Sequence, residues 1–401
     1  MKKLCKFVSG LCTVAGIAFL SSLYLLDAAI PDKINILEGE EFSLPSVPAI
    51  TANLPAETPY TSGDSYQVDV KLFGSIPVKQ VTVSVYDRTS LIPSGRPFGL
   101  KMFTEGVLVV GLCDIDTDLG PVCPASQAGL KAGDILLSID GQEVDTNEQV
   151  AFVLSHCNGK PINLQVKRGE KLENLSLTPA LSRDGLGYRG GFWVRDSSAG
   201  IGTLTFIDPV NQVFGGLGHG VCDIDTGDLL PLRSGEIVPS AITDVVKATP
   251  GTPGELRGQF VTSEEIGKLA VNCDTGVYGP IQGEYAQGDP VPIGLKQTVH
   301  TGDATILSTL EGSEPQEYTI QIERISLNDE SNVKNMVIRV TDPRLLAKTG
   351  GIVQGMSGSP ILQDGHLIGA VTHVFVGDPS KGYAIFIENM LSASHTAGAA
   401  L

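Results

Sequence analysis

Residues 200–220 read GIGTLTFIDPVNQVFGGLGHG, and this stretch sets the fold class of the second half of the chain. Two strand-like segments, 200–208 and 212–218, flank the turn signal at DPVN. Further short strands are indicated at 191–196, 317–325, 335–342 and 365–377. Turn residues separate them closely, and almost no long amphipathic helix is present to cover a parallel sheet. The series therefore predicts a two-sheet or double-barrel all-β domain.

Length and composition limit the possible classes of protein. The 401 residues are enough for two or three domains, and 47 glycines with 24 prolines favour turns over long helices. Asp and Glu number 45 against 28 Lys and Arg, a net charge of -17, and no basic cluster follows the first six residues. We therefore expect a mainly β protein that does not bind nucleic acid.

The N-terminus carries a membrane signal. Lys2, Lys3 and Lys6 precede the apolar run from Phe7 to Leu26, which is about as long as a bilayer core is thick. The lysines favour a cytoplasmic N-terminus, so everything after Asp27 should be exported. The residues around Asp27 fit a signal-peptidase site poorly. We predict an uncleaved anchor over residues 1–27.

Residues 28–95 connect this anchor to the first folded domain. The stretch from Phe42 to Thr61 is punctuated by proline and nearly free of charge, which predicts an extended tether. From Tyr66 to Tyr86, apolar and polar residues alternate on both sides of a turn at 74–77, which predicts a β-hairpin.

Strands at 106–111, 135–139 and 162–167 surround one helix, Thr146–Cys157, within a predicted domain at 96–182. Its segments PFGLKM (97–102), GVLVVG (106–111) and PASQAGLKAGDILLSIDGQEV (124–144) resemble a PDZ domain of bacterial exported proteases. The resemblance implies that the amides of Phe98, Gly99 and Leu100 cradle a peptide carboxylate. Val150 and Leu154, one helical turn apart, would line the opposite wall of the groove.

Two acidic loops, 113–123 and 222–229, have a pattern of aspartates that suggests calcium binding. Counted from Asp114, the first lacks the glycine at position six and the glutamate at position twelve of an EF-hand, so we expect no metal and no cofactor. The five cysteines outside the anchor show no zinc spacing. We expect free thiols, although Cys113 and Cys123 could pair across a loop in an oxidising compartment.

Two glycine-framed segments could carry chemistry: GGLGHG at 215–220 and QGMSGSPILQDG at 354–365. The first offers His219 and the second Ser357. A serine nucleophile needs an imidazole as base and backbone amides directed at the developing oxyanion. The pair therefore predicts a serine hydrolase, with the histidine preceding the serine in the chain.

The segment GMSGSP resembles the GDSGGP nucleophile loop of chymotrypsin-like proteases. By that resemblance Ser357 is the nucleophile, and the amides of Gly355 and Ser357 form the oxyanion hole. Ser359 lies in the same turn, but its place in the motif does not match the nucleophile. The resemblance implies a chymotrypsin-like double β-barrel for the peptidase domain, residues 184–395.

The chain as a whole resembles the SpoIVB peptidase family of endospore-forming bacteria. The resemblance rests on the membrane segment, the PDZ domain, and the runs FWVRDSSAGIGTLTFIDP (192–209), GLGHG, QGMSGSPI and GYAIFIEN (382–389). It implies an exported serine peptidase that cleaves itself and then a membrane-associated regulator, which triggers activation of sigma-K. Such a protein acts between forespore and mother cell.

The acid that would orient His219 is left open by the residues themselves, because five aspartates lie near strand ends or near the two motifs: Asp223, Asp225, Asp342, Asp364 and Asp378. The family resemblance implies an acid just upstream of the serine, which here is Asp342. An Asx-turn before Pro343 is the alternative for this residue. The alternative for the whole protein is an exported PDZ scaffold with an inactive peptidase domain.

Overall fold

The computed structural model describes residues 16–27, 30–38, 50–52, 64–86, 88–185, 187–262, 264–327 and 333–399. These residues are mainly β, as predicted. Residues 16–27 are helical. Within the described ranges no helix is long and apolar enough to cross a membrane. Residues 1–15 of the predicted anchor lie outside those ranges, so the anchor stays a prediction.

A four-stranded sheet begins the fold, in the order β1-β4-β3-β2. Its strands are β1 (Lys33–Leu37), β2 (Ile50–Ala52), β3 (Ser65–Leu72) and β4 (Ile76–Tyr86). Strands β3 and β4 form the predicted hairpin. The predicted tether contains β2, and the rest of it lies outside the described residues. Strand β1 pairs in parallel with β4, so the chain before the tether is part of this sheet.

A branched sheet of fourteen strands follows and is shared by the peptidase and the PDZ domain. Its peptidase strands are β5 (Ser90–Pro93), β6 (Pro97–Leu112), β15 (Phe192–Asp208), β16 (Val213–Gly216), β17 (Leu232–Val246), β18 (Glu255–Phe260), β19 (Gly267–Lys268), β20 (Val271–Cys273), β21 (Gly276–Pro280) and β22 (Val291–Pro292). A 3-10 helix, Gly283–Ala286, precedes β22.

The PDZ domain packs its own strands and helices onto the far end of β6. They are β7 (Ile115–Thr117), β8 (Gly120–Val122), α1 (Pro124–Ala128), β9 (Ile135–Ile139), β10 (Gln142–Glu143), α2 (Asn147–His156), β11 (Ile162–Arg168), β12 (Lys171–Leu177), β13 (Ala180–Leu181) and β14 (Tyr188–Arg189). Helix α2 begins at a capping box in which Thr146 and Gln149 bond each other's backbone amides.

The last part of the chain closes into a six-stranded antiparallel barrel, in the order β23-β24-β25-β28-β27-β26. Its elements are β23 (Gly302–Ser308), β24 (Gln316–Ile325), β25 (Met336–Val340), α3 (Pro343–Thr349), β26 (Pro360–Gln363), β27 (His366–Val374) and β28 (Lys381–Phe386). Helix α4 (Ile387–Ala399) ends the described chain. One predicted barrel is therefore closed, whereas the other half of the peptidase is the branched sheet.

Strand β6 corrects the predicted boundary of the PDZ domain. Its first half pairs with β15 on one edge and with β17 on the other, so residues 97–104 belong to the peptidase sheet. Gly99 lies between Ile201 and Val238. A Cβ built on Gly99 would lie 2.4 Å from the ring of Phe260.

The predicted carboxylate cradle at Phe98, Gly99 and Leu100 is therefore wrong. Both edges of the strand are already paired, so no peptide can add to it, and the side chains of Phe98 and Leu100 are buried in the core. Alternation of apolar residues predicts a strand here, but it does not specify which strands pair with it.

Candidate active site

His219 follows β16 in a tight turn. Leu217 and Gly218 both have positive φ, 68° and 70°, which turns the chain back on itself immediately before the histidine. The turn is held by a hydrogen bond from the Leu217 amide to the carbonyl of Thr203 on β15. A Cβ on Gly220 would lie 2.3 Å from the side chain of Leu229, so a glycine is needed here for close packing.

Ser357 lies in the loop between α3 and β26, where Gly355 and Gly358 have φ of 94° and 95°. Thr203 also holds this loop: its hydroxyl donates to the Gly355 carbonyl at 2.8 Å, and its amide donates to the Ser357 carbonyl at 3.3 Å. A Cβ on Gly358 would approach the Thr203 carbonyl to 2.1 Å. One residue of β15 thus fixes both glycine-framed loops against each other.

Two of the three predicted catalytic residues, His219 and Ser357, line one cavity of about 450 Å³ between the branched sheet and the barrel. Nδ1 of His219 bonds the carbonyl oxygen of Gly220 at 2.9 Å. A carbonyl only accepts, so Nδ1 carries the proton and Nε2 is left as the basic nitrogen. Burial lowers the pKa of His219, and the hydrogen bond to the Gly220 carbonyl offsets this in part. The lowered pKa favours the neutral ring.

Ser357 donates its hydroxyl to the carbonyl of Thr372 at 2.7 Å, and not to His219. Ser359, by contrast, is fully buried and its hydroxyl donates to Ser308 at 3.2 Å. Only Ser357 of the two serines lines the cavity. The geometry therefore supports Ser357 as the nucleophile.

The predicted oxyanion hole has the required free donors. In the described chain the amides of Met356, Gly358 and Ser359 all donate to main-chain carbonyls, whereas those of Gly355 and Ser357 make no such bond. Both residues line the cavity. Two unpaired amides beside a serine can stabilise the charge that develops on a substrate carbonyl.

Asp342 makes no hydrogen bond to His219 in the described structure. It is the N-cap of α3 and accepts from the amide and the guanidinium of Arg344, both at 2.8 Å, and from the amide of Thr319. The hydrogen bond from the Arg344 side chain, opposed by burial, holds the Asp342 pKa at about 2. The predicted orienting role therefore stays a prediction, and the alternative, a local turn before Pro343, is close to what the structure shows.

The other four candidate aspartates also have partners elsewhere. Asp223 and Asp225 both bind Arg195, Asp364 bonds His300, and Asp378 bonds Ser380. Within the described ranges none of these four carboxylates contacts His219, and no group of three or more His, Cys, Asp or Glu side chains is placed to hold a metal ion.

His373, which the sequence interpretation passed over, also lines the cavity. Its ring centroid lies 5.1 Å from that of His219, and the two planes meet at 38°. The signal that could have found it is its position in β27, the second strand after the serine loop. Its distance of sixteen residues from Ser357 says nothing by itself about spatial proximity.

Comparison with known families identifies the chain from the residues just described. The SpoIVB peptidase S55 family matches residues 186–391, which is just over half of the chain and includes His219 and Ser357. This chain belongs to the SpoIVB peptidase S55 family. A PDZ domain is matched at 115–168, which confirms that domain. The match begins after β6, whose first half pairs within the peptidase.

Two curated relatives of this SpoIVB-family chain are described as proteases. A magnetosome formation protease of Magnetospirillum gryphiswaldense is 38% identical over 21% of this chain and 10% of its own length. A DegP-like protein of Brucella suis, described as a probable periplasmic serine endoprotease, is 28% identical over 37% of this chain and 29% of its own. The chain thus spans less than a third of either relative.

Among solved structures, the PDZ domain of an SdrC-like protein from Listeria monocytogenes is 24% identical and covers 22% of this chain and 87% of its own, with a TM-score of 0.18.

The PDZ domain of this SpoIVB-family chain has a groove, but one wall differs from the prediction. A cavity of about 840 Å³ lies between α2 and the segment from Tyr188 to Trp193, where Phe192 begins β15. Leu154, one of the two residues predicted for the helix wall, lines it. Val150 does not, because it is 2% exposed and belongs to the core of the domain.

Proposed function

We propose that this protein is a membrane-anchored serine endopeptidase, exported across the forespore membrane, that cleaves itself and then a membrane-associated regulator. Cleavage of the regulator would trigger sigma-K activation during sporulation. The observation that carries the peptidase assignment is the meeting of a neutral His219, Ser357 and two unpaired amides in one cavity. Membership of the SpoIVB peptidase family supports the biological role.

The chemistry follows from the groups present. Ser357 leaves the Thr372 carbonyl and transfers its proton to Nε2 of His219 as Oγ attacks the substrate carbonyl. The amides of Gly355 and Ser357 donate to the resulting oxyanion. His219 then protonates the leaving amine. It next takes a proton from a water molecule as this water attacks the acyl-enzyme, and it returns the proton to Oγ of Ser357 as the acid product leaves.

The partners of this peptidase would be protein chains, among them itself and the regulator, and the membrane through its N-terminal segment. The groove beside α2 would position such chains rather than cleave them, since it contains neither His219 nor Ser357. No cofactor, metal or nucleic acid is required by the proposed reaction.

One observation favours the alternative of a catalytically inactive PDZ scaffold. The Ser357 hydroxyl donates to Thr372 and makes no bond to His219 in the described structure. Catalytic hydrogen bonds often tighten only when substrate is bound, so this arrangement is compatible with an active enzyme.

The test is made in sporulating cells with two matched serine variants. With Ser357→Ala expressed at the wild-type level, processing of sigma-K should stop and the variant should remain uncut. With Ser359→Ala, both should continue. Normal sigma-K processing by the Ser357→Ala protein would contradict the proposal and support the scaffold.

A further inference from the structure

The catalytic cavity has a wall of aliphatic side chains next to Ser357. Ile352 and Val353, on the chain that leads into the serine loop, are buried and line the cavity. Val374, at the end of β27, is half-buried and lines it on the barrel side. These three residues are called the apolar wall below.

The cavity presents no charged side chain to a substrate. Among the residues of the described chain that line it, none is an aspartate, glutamate, lysine or arginine. Its titratable side chains are His219, His373 and Cys222. Burial is the main cause that lowers the pKa of the two histidines, to about 4 for His373, and it raises the pKa of the Cys222 thiol. All three side chains are therefore neutral near pH 7.

Hydrogen bonds hold the backbone of the apolar wall in place. The Ile352 amide donates to the carbonyl of Pro379 at 2.8 Å. Two residues on, the Gln354 amide donates to the carbonyl of Gly254 at 2.9 Å. The wall is thus formed before a substrate binds, which suits a pocket that selects one side chain.

A substrate backbone can reach the apolar wall along β27. Strand β26 pairs with β27 only as far as Ala370, and β28 covers the other edge as far as Val374. One edge of residues 372–374 therefore has no strand partner in the part of the chain that the structure describes. An extended peptide can add to such an edge through main-chain hydrogen bonds. It would pass Ser357, whose hydroxyl already bonds the Thr372 carbonyl.

We propose that the apolar wall is the specificity pocket for the residue that precedes the cleaved bond, and that it selects an uncharged apolar side chain; the inference rests on the peptidase function proposed above. A lysine or glutamate side chain would lose its hydration there, and no opposite charge would replace the lost water. An aliphatic side chain instead gains free energy from burial against Val353 and Val374.

The chain itself contains a segment of this kind. The predicted tether, 42–61, has Glu57 as its one charged residue and carries aliphatic residues such as Val47, Ile50 and Leu54. Self-cleavage in the tether, as proposed above, would place one of its apolar side chains in the pocket.

The test uses detergent-solubilised full-length protein and peptide phosphonate diesters, which react with the serine at a rate set by the side chain next to phosphorus. Four probes share the sequence Ala-Ala-X and carry valine, leucine, lysine or glutamate analogues at X. We expect the valine and leucine probes to label Ser357 about 10²-fold faster than the lysine and glutamate probes. A lysine or glutamate probe that labels as fast as the valine probe would overturn the inference.

Two matched variants test the assignment of the pocket. Val374→Asp brings a carboxylate into the apolar wall, whereas Val376→Asp brings it to an exposed position outside the cavity. The quantity compared is the ratio of the lysine-probe rate to the valine-probe rate, so a general loss of activity cancels. We expect this ratio to rise at least about 10-fold in Val374→Asp, because the new carboxylate pairs with the lysine, and to stay at the wild-type value in Val376→Asp. An unmoved ratio in a folded Val374→Asp protein would overturn the inference.

If Val374→Asp does not fold, the four probes on the wild-type protein decide. A plain fluorophosphonate, which carries no amino-acid side chain, separates this inference from the peptidase function. A wild-type protein that it never labels would overturn both. Ser357-dependent labelling by the fluorophosphonate, together with a preference for the lysine or glutamate probe, would overturn the inference alone.

Discussion

His219 and Ser357 each donate a hydrogen bond to a main-chain carbonyl, that of Gly220 in one case and that of Thr372 in the other. His219 and Ser357 therefore line one cavity, but they are not hydrogen-bonded to each other. Because Thr203 fixes the backbone of both loops, we expect side-chain rotations to form this hydrogen bond when substrate binds.

The depressed pKa of His373 makes folding stability depend on pH. Its pKa is about 4 in the folded protein and 6.5 ordinarily, so between these values the unfolded chain binds a proton that the native state does not. Stability therefore rises with pH through this window and falls on acidification. Melting temperatures measured from pH 7 to 4 should fall less steeply for His373→Phe than for the wild type. Equal slopes would contradict the assignment of a buried neutral ring.

Ser359→Ala tests whether the second serine of the motif is structural. The change removes the hydrogen bond to Ser308 in the barrel core and leaves that hydroxyl unpaired, which should lower the free energy of unfolding by about 1 kcal/mol. Urea unfolding gives this quantity. Probe labelling of Ser357 should be unchanged, and a loss of labelling without a loss of stability would assign Ser359 a chemical role.

At the residue scale, the sequence predicts those groups whose local backbone is unusual. His219 and Ser357 stand out because each needs neighbouring glycines for positive φ or close approach. The position of His373 depends on a bulge in β27, and the hydrogen bonds of Asp342 depend on its place as the N-cap of α3. His373 and His219 are distant in the chain, so no local pattern indicates that they meet, whereas the contact of Asp342 with Arg344 is local.

At the scale of elements, β6 and β15 join the two domains. Both are long strands, paired with each other from Pro97–Thr203 to Leu112–Phe192. The Phe192 end of β15 borders the PDZ groove, and its residues 198–202 line the catalytic cavity. Between these regions Arg195 forms an ion pair with Asp223, four residues after His219. The groove and the histidine loop are thus connected through one strand.

Gly99→Val tests the corrected position of β6. Because a Cβ there would meet the ring of Phe260 at 2.4 Å and the side chain of Val238 at 2.8 Å, we expect a loss of about 1–3 kcal/mol in unfolding free energy. Gly111→Val is the control, since the same strand offers open space there. Differential scanning calorimetry of both variants should show early melting only for Gly99→Val. Normal melting with lost peptide binding would restore the carboxylate-cradle interpretation.

Element types were predicted better than element partners. Helix α2 and strands β9 and β11 lie where the sequence predicts them, within one residue at each end. The sequence does not show that 97–104 pairs with β17, because a strand with two buried faces has the same pattern in either domain.

At the scale of the whole molecule, the chain before the tether is bound to the chain after it. Strand β1 pairs with β4, and the Asn35 amide donates to the buried carboxyl of Glu388 in α4 at 2.6 Å. Lys79 donates to the Ile30 carbonyl at 2.8 Å. Self-cleavage in the predicted tether, 42–61, would therefore leave the N-terminal piece attached without a covalent link.

We predict that the cut protein stays with the membrane fraction under native conditions and separates from it in denaturant. Asn35→Asp, which brings a second carboxyl beside Glu388, should release the cut body. Thr51→Ala, an exposed change on β2, should not. Fractionation followed by N-terminal sequencing measures both outcomes, and a wild-type body that is cut in the tether and wholly soluble would show that β1 does not hold it.

The central claim is that Ser357, activated by His219, is the nucleophile of a peptidase site. Fluorophosphonate labelling of the full-length protein, mapped by peptide mass spectrometry, tests it most directly. The account predicts one modified residue, Ser357, with labelling lost in Ser357→Ala and in His219→Ala and kept in Ser359→Ala. A folded wild-type protein that is not labelled, or one labelled at Ser359, would contradict it.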